Sequence, residues 1–242
     1  ANCYSSITLK KYYLPLILNI DTATEYASVC LSNDGKLLAI ENSVDQKNHA
    51  SFIQPAIKKI FSESGFSLTD VNAIAVSNGP GSYTGLRVGL SSAKGLCYAL
   101  NKPLILLNTL QVIANSIANE CDSKTFSEPF LICPMIDARR MEVFTALYDT
   151  NGQAIIEPNA LVLTEQSFAE HLQNNQIVFG GSGNSKFKNI LHHPNAMFVT
   201  TIHSAENMIT LSEKAFTEND FADLAYSEPL YLKEFFSPAS KT

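Results

Sequence analysis

Apolar residues recur along the chain in two rhythms. Leu16 to Ile20 and Ala27 to Leu31 are short apolar runs of strand length. Asn33-Asp34-Gly35-Lys36 follows, and its Asp-Gly pair is a strong signal for a two-residue hairpin because a type I′ turn needs positive φ at both central positions. Lys36 to Ile40 then returns as a third strand. From Ala50 to Ser64 the rhythm changes: Phe52, Ile53, Ala56, Ile57, Ile60 and Phe61 recur every three to four residues, which defines one face of a helix, and Gly65 supplies its C-cap. Val71 to Val76 reads as a buried strand, Gly85 to Leu100 as a helix and Leu104 to Leu107 as another strand. Strand, strand, strand, helix, strand, helix, strand is the order of a mixed sheet with helices on its faces. That is the ribonuclease H-like pattern from which actin-like two-domain α/β proteins are built.

The second half predicts the same theme with different residues. Thr109 to Ala118 is helical, and Asn119 to Glu128 is a polar loop. Phe130 to Ile136 and Met141 to Leu147 are strands about the tip Asp137-Ala138-Arg139-Arg140, and Asn151-Gly152 turns into a strand from Ala154 to Ile156. A helix near Glu165 to Gln173, a strand from Ile177 to Phe179, the loop Gly180-Gly181-Ser182-Gly183 and a helix opened by Ser204 complete the series. The expected layout is an extension over residues 1–13, a first βββαβα-type domain over 14–108 and a second over 109–242. The repeat is one of topology, with no matching repeat of sequence.

Composition narrows the functions available. A 45% hydrophobic content and a mean hydropathy of +0.03 suit a packed globular chain. A net charge of -6 gives no general basic footprint for nucleic acid. Five scattered cysteines without a Cys-x-x-Cys pair suit reduced thiols in a cytosol, with Cys97 and Cys133 placed in the core. No apolar stretch approaches the ~20 residues of a membrane span. Lys10 to Leu18 resembles a basic and apolar signal only faintly and is read as an extension leading into the first strand.

Candidate chemistry concentrates in Asn78-Gly79-Pro80-Gly81-Ser82-Tyr83-Thr84-Gly85-Leu86-Arg87. It lacks the spacing and the lysine of a Walker A loop. Two readings stay open: an anion site at the helix N-terminus, or a tight turn that Gly79 and Gly81 permit, Pro80 stiffens and Ser82 or Thr84 caps. Beyond the loop, Leu86, Leu90, Ala93, Cys97 and Leu100 form a stripe that buries the helix on the sheet. The rest of its surface is small or apolar, with Arg87 and Lys94 as its charges. Glycine inside a helix costs about 1 kcal/mol against alanine, so Gly85, Gly89 and Gly95 call for a close neighbour, either a partner's helix or another helix of the same chain.

Asp21 and Asp137 stand at two hairpin tips where an actin-like ATPase would place carboxylates around a metal ion. Neither tip contains glycine to admit phosphate, and the structural alternative is that Asp21 caps a turn. Gly181 lies in a glycine loop that suits an adenosine contact or a plain strand-to-helix turn. The histidines show no metal-binding spacing such as His-x-x-x-His, and no Gly-x-Ser-x-Gly elbow is present. No metal or cofactor is expected.

Asp21-Thr22-Ala23-Thr24, the helix opening at His49, the loop from Gly79 to Arg87 and Ile136-Asp137-Ala138-Arg139-Arg140-Met141-Glu142-Val143 together closely resemble the TsaB (YeaZ) family, over Leu16 to about Tyr231. The resemblance implies an actin-like (ASKHA) fold and a non-catalytic, cytoplasmic subunit of the bacterial machinery that makes threonylcarbamoyladenosine beside the tRNA anticodon. It implies pairing with the catalytic paralogue TsaD, or with a second copy, through the helices Ala50 to Ser64 and Gly85 to Leu100, placing Phe52, Lys59, Arg87, Val88, Gly89, Ser92 and Leu96 at the interface. TsaE would join as the ATPase, tRNA would be met through the complex, and no membrane would be involved. The metal-binding helix of TsaD corresponds here to Thr109-Leu110-Gln111-Val112-Ile113, which offers no ligand. An actin-like nucleotide-binding ATPase or kinase using Asp21, Asp137 and magnesium is the alternative, and a glycoprotease-type metallopeptidase a third class.

Overall fold

Leu16–Asp21 (β1) is buried along its whole length, because its alternate side chains enter different cores: Leu16, Leu18 and Ile20 one, Ile17 the other. The computed structural model describes residues 15–45, 48–121 and 129–233. The expected extension over residues 1–13 and most of the expected polar loop lie outside the described residues.

Ala27–Asn33 (β2) runs antiparallel to β1, and Lys36–Ser43 (β3) returns beside it. Between them Asp34 and Gly35 both have positive φ, 52° and 66°, as the type I′ turn requires. His49–Ser64 (α1) ends at Gly65 in the left-handed region, at φ 76°. Ala73–Gly79 (β4) lies parallel to β1, Tyr83–Leu100 (α2) follows, and Leu104–Asn108 (β5) lies parallel to β4. The strand order is β3-β2-β1-β4-β5.

The second half contains Thr109–Glu120 (α3), Phe130–Asp137 (β6), Glu142–Tyr148 (β7), Ala154–Val162 (β8), Ala169–Asn174 (α4), Gln176–Gly180 (β9), Asn184–Lys188 (α5), Ala196–Phe198 (β10) and Ile209–Glu218 (α6). Its sheet is ordered β10-β9-β6-β7-β8, the first arrangement over again: three hairpin-joined strands with two parallel strands added on the far side of the first. The fold is therefore α/β and actin-like, two ribonuclease H-like halves in tandem.

Local differences from the sequence reading have local causes. The helix expected from Glu165 begins only at Ala169, behind Phe168 in the left-handed region at φ 63°. The strand after Gly152 runs on to Val162 because it pairs with β7 as far as Glu142. The helix expected from Ser204 opens as a 3-10 turn, Ala205–Met208, with the Ser204 amide donating to Asn207 Oδ1 at 2.9 Å. α5 and β10, with five and three residues, are too short to show a period.

The second half lays its last helix on the first sheet. One face of the first sheet is covered by α1 and α2, through Ile53, Ile57, Ile60, Leu90, Ala93 and Cys97. Its other face is covered by Met208 and Ile209 of the C-terminal half, while α3 sends Leu110, Ile113 and Ile117 onto Ile132 and Val178 of the second sheet. A cut between residues 108 and 109 thus separates the strands but not the packing. Cys97 and Cys133 are buried, and burial pushes both thiols up to about 12. Among the described residues no helix is long and apolar enough to cross a membrane.

Candidate functional site

A cleft of about 1000 Å³ opens between the halves. One wall is the turn after β1 with the loop into α2; the other is the β6–β7 tip with Ser182; residues 230–233 lie along it. The two acidic tips thus face a common space, as the actin-like arrangement requires, but their carboxylates have different fates.

Asp21 is 1% exposed and does not line the cleft. Its Oδ2 lies 3.2 Å from Nε2 of His203, and its Oδ1 accepts the Ser77 hydroxyl at 2.5 Å and the Ala23 amide at 3.0 Å. Burial alone would raise this carboxyl, but the His203 charge and hydrogen bond, with the Ser77 and Ala23 donors, outweigh it and hold it below the ordinary 3.8. A carboxylate so engaged has little capacity left for a metal ion. His203, itself buried, comes from 182 residues further on and carries no pattern in the sequence that would mark it.

The loop from Gly79 is packed on the chain's own backbone. The Ser82 amide donates to the Ala23 carbonyl at 2.7 Å, and the Ser82 hydroxyl caps α2 by accepting from the Gly85 amide at 3.3 Å. Thr22, fully buried, donates its hydroxyl to the Gly85 carbonyl at 2.8 Å. A Cβ on Gly81 would overlap the Ala23 carbonyl, one on Gly85 the Thr22 carbonyl, and one on Gly89 the Thr22 hydroxyl. These glycines admit the turn after β1. The Gly79 amide donates to Thr109 Oγ1 at 3.1 Å, so the first residue of α3 serves as a prop for the loop.

This corrects the expected position of Gly89. It is buried against Thr22 and Val76 and cannot meet a partner. Gly95 is the helix glycine that is exposed, with nothing within 4 Å of where its Cβ would stand. Of the other expected interface residues, Val88 and Leu96 are partly buried against the first core, and Ser92 is half-buried between turns. Lys59 pairs with Glu41 of β3 at 2.6 Å, and Phe52, two turns earlier on the same side of α1, packs partly into the core. Arg87 donates from Nε to Tyr231 at 3.0 Å. The face of α2 left open carries Thr84, Ser91, Gly95 and Tyr98, the last 83% exposed. Exposed Arg87 lies on the same stripe between Thr84 and Ser91, and the resulting spacing of three, four, four and three is legible in the sequence once α2 is placed; beyond Arg87 the stripe carries no charge.

Across the cleft Asp137 keeps 47% of its side chain exposed. Its Oδ1 accepts from Lys186 Nζ at 2.9 Å and from the Arg139 amide at 2.6 Å, while its amide donates to Ser182 at 3.1 Å. Lys186 also donates to the carbonyls of Arg140 and Glu142, at 2.7 and 3.0 Å. The tip turns tightly without glycine, with Arg139 and Arg140 both left-handed at φ 72° and 50°. Gly181, at φ 94°, fits against the Met135 carbonyl, where a Cβ would collide. Among the described residues no three His, Cys, Asp or Glu side chains converge as a metal set.

The chain aligns with a family model described as TsaD, tRNA N6-adenosine threonylcarbamoyltransferase, over residues 40–233. It is 32% identical to the tRNA threonylcarbamoyladenosine biosynthesis protein TsaB of Escherichia coli (strain K12), across 90% of this chain and 94% of that protein. The chain belongs to the TsaB (YeaZ) family. The TsaB of Bacillus subtilis (strain 168) is 28% identical over 90% of this chain and 93% of its own length. Among solved structures, YeaZ from Pseudomonas aeruginosa superposes with a TM-score of 0.73 at 24% identity, covering 90% of this chain and all of that one, and thus shares the fold. TsaB-family membership agrees with the paired sheets, and the shared family model with TsaD agrees with common ancestry of the two folds.

Proposed function

We propose that this TsaB-family chain is a non-catalytic, cytoplasmic subunit of the threonylcarbamoyladenosine modification of tRNA, and that it acts by binding a TsaD-type transferase. The observation that carries the reading is the state of Asp21: the carboxylate best placed for nucleotide chemistry is buried and held by His203, Ser77 and Ala23. Chemistry at the cleft is then left to the partner, and this chain contributes a surface. The surface is the open face of α2, whose charges Arg87 and Lys94 are both turned to the chain's own C-terminal segment. A second copy would use the same face when the transferase is absent. A TsaE-type ATPase would join the pair, and tRNA would be reached through the assembly.

Gly95→Arg tests this. The position is exposed and arginine is the better helix former by up to about 1 kcal/mol, so the variant is expected to melt at or slightly above the parent temperature. It is also expected to lose co-elution with the TsaD-type transferase on size exclusion, whereas Gly95→Ala keeps it. Persistence of the complex with Gly95→Arg would move the interface off α2. Reconstituted modification of tRNA with and without this chain, and calorimetry with ATP and magnesium, separate the subunit reading from an actin-like ATPase.

A further inference from the structure

After α6 the chain does not return to its own half. Ala222 donates its amide to the Leu104 carbonyl at 2.9 Å, adding a bridge to β5, and Ala222 and Leu224 pack against the first core. Lys94 Nζ donates to the carbonyls of Ala225 and Ser227 at 3.2 and 3.0 Å. The Leu230 amide donates to the Asn78 carbonyl at 2.7 Å. The Leu230 carbonyl sits where Gly79, at φ 122°, would otherwise carry a Cβ. The Tyr231 ring lies 5.1 Å from that of Tyr83, and the Arg87 guanidinium lies 4.0 Å above the Tyr83 ring while bonded to the Tyr231 hydroxyl. Lys233 then crosses to Glu142 at the start of β7 in the opposite sheet, with Nζ 2.7 and 3.0 Å from the two carboxylate oxygens.

We infer that residues 222–233 are a strap, anchored to the first half and latched to the second across the cleft mouth by Lys233 and Glu142. The two ends are unequal by construction. The anchor combines backbone hydrogen bonds, apolar packing and an aromatic pair, which salt hardly screens, with the Arg87 and Lys94 cations as additional contacts. The latch is an ion pair whose lysine is 52% exposed and whose glutamate is 20% exposed, a class of contact that contributes little and weakens with ionic strength. The strap therefore stays on the first half when the latch lets go, and access to the cleft depends on one charge pair. Gly79 has a role in this that neither the turn nor the helix needs: it is the seat of the strap.

Hydrogen exchange on the full chain tests the strap, with Lys233→Ala, Glu142→Gln and the swapped pair Lys233→Glu with Glu142→Lys. At low salt each single variant is expected to speed exchange in peptides spanning 228–233 and 138–142 by about 2- to 5-fold, the range that loss of a half-exposed ion pair supports. The swapped pair restores the parent rate, and about 1 M salt brings the parent to the variants' rate. Protection of β1 and β4 stays unchanged. Tyr231→Ala, which removes the aromatic part of the anchor, frees 228–233 more than either latch variant. Unchanged exchange in the single variants, failure of the swap to restore it, or an equal rise in β1 and β4 would each overturn the inference.

Discussion

Replacing Gly89 with arginine is expected to destabilise the protein severely. The position is buried on the face of α2 that meets the turn after β1, and even a Cβ there collides with the Thr22 hydroxyl. Thr22 cannot yield, because it is fully buried and its hydroxyl bonds to the Gly85 carbonyl. Overpacking of a filled interior costs about 1–3 kcal/mol, and an unpaired charge forced into it adds several more. Against a domain stability of roughly 5–15 kcal/mol, the sum takes up a large share of the margin and should lower the melting temperature steeply. Circular dichroism and soluble yield of Gly89→Arg beside Gly95→Arg check this. A cooperative parental melt for Gly89→Arg would show that α2 is rotated from the orientation described above.

Asp21→Ala is expected to destabilise the protein by about 3–5 kcal/mol, the usual consequence of removing one partner of a buried pair. His203 would lose its counter-charge, and the Ser77 hydroxyl and Ala23 amide would be left without an acceptor. Chemical denaturation of parent and variant measures the difference. The reading of Asp21 as a structural group also sets a pH dependence. Its carboxyl lies below the ordinary 3.8 in the folded state, so the unfolded chain binds its proton first as acid is added. The stability from this group is complete above that value and is lost as pH falls through the lower folded value. The part of the gap between parent and Asp21→Ala that comes from this carboxyl should therefore close only in acid below its ordinary value. A variant that keeps full stability while losing nucleotide binding would favour the actin-like ATPase reading instead.

Much of the fold was legible because its causes are local. The alternation of apolar runs placed β1, β2 and β4. The Asp34-Gly35 turn and the Gly65 cap were readable because each conformation is demanded by two or three adjacent residues. The same locality explains the misses. The start of α4 was shifted by one left-handed residue, Phe168, and α5 and β10 are shorter than any period. The candidate site was half legible: both acidic tips and the loop from Gly79 were found, and they line or adjoin one cleft.

The roles of those residues were settled elsewhere. From its own order of residues the chain determined its longer strands and helices, the doubled ribonuclease H-like topology and the likeness to the TsaB family. Tertiary structure alone decided that Gly85 and Gly89 make room for Thr22 and not for a foreign helix, that Asp21 belongs to His203, and that Tyr231 closes on Tyr83. The physical reason is range. Turn and period signals act over a few residues, whereas these contacts join positions some 60 to 180 apart, and a glycine or a carboxylate acquires its function only from whichever atom the completed packing brings against it.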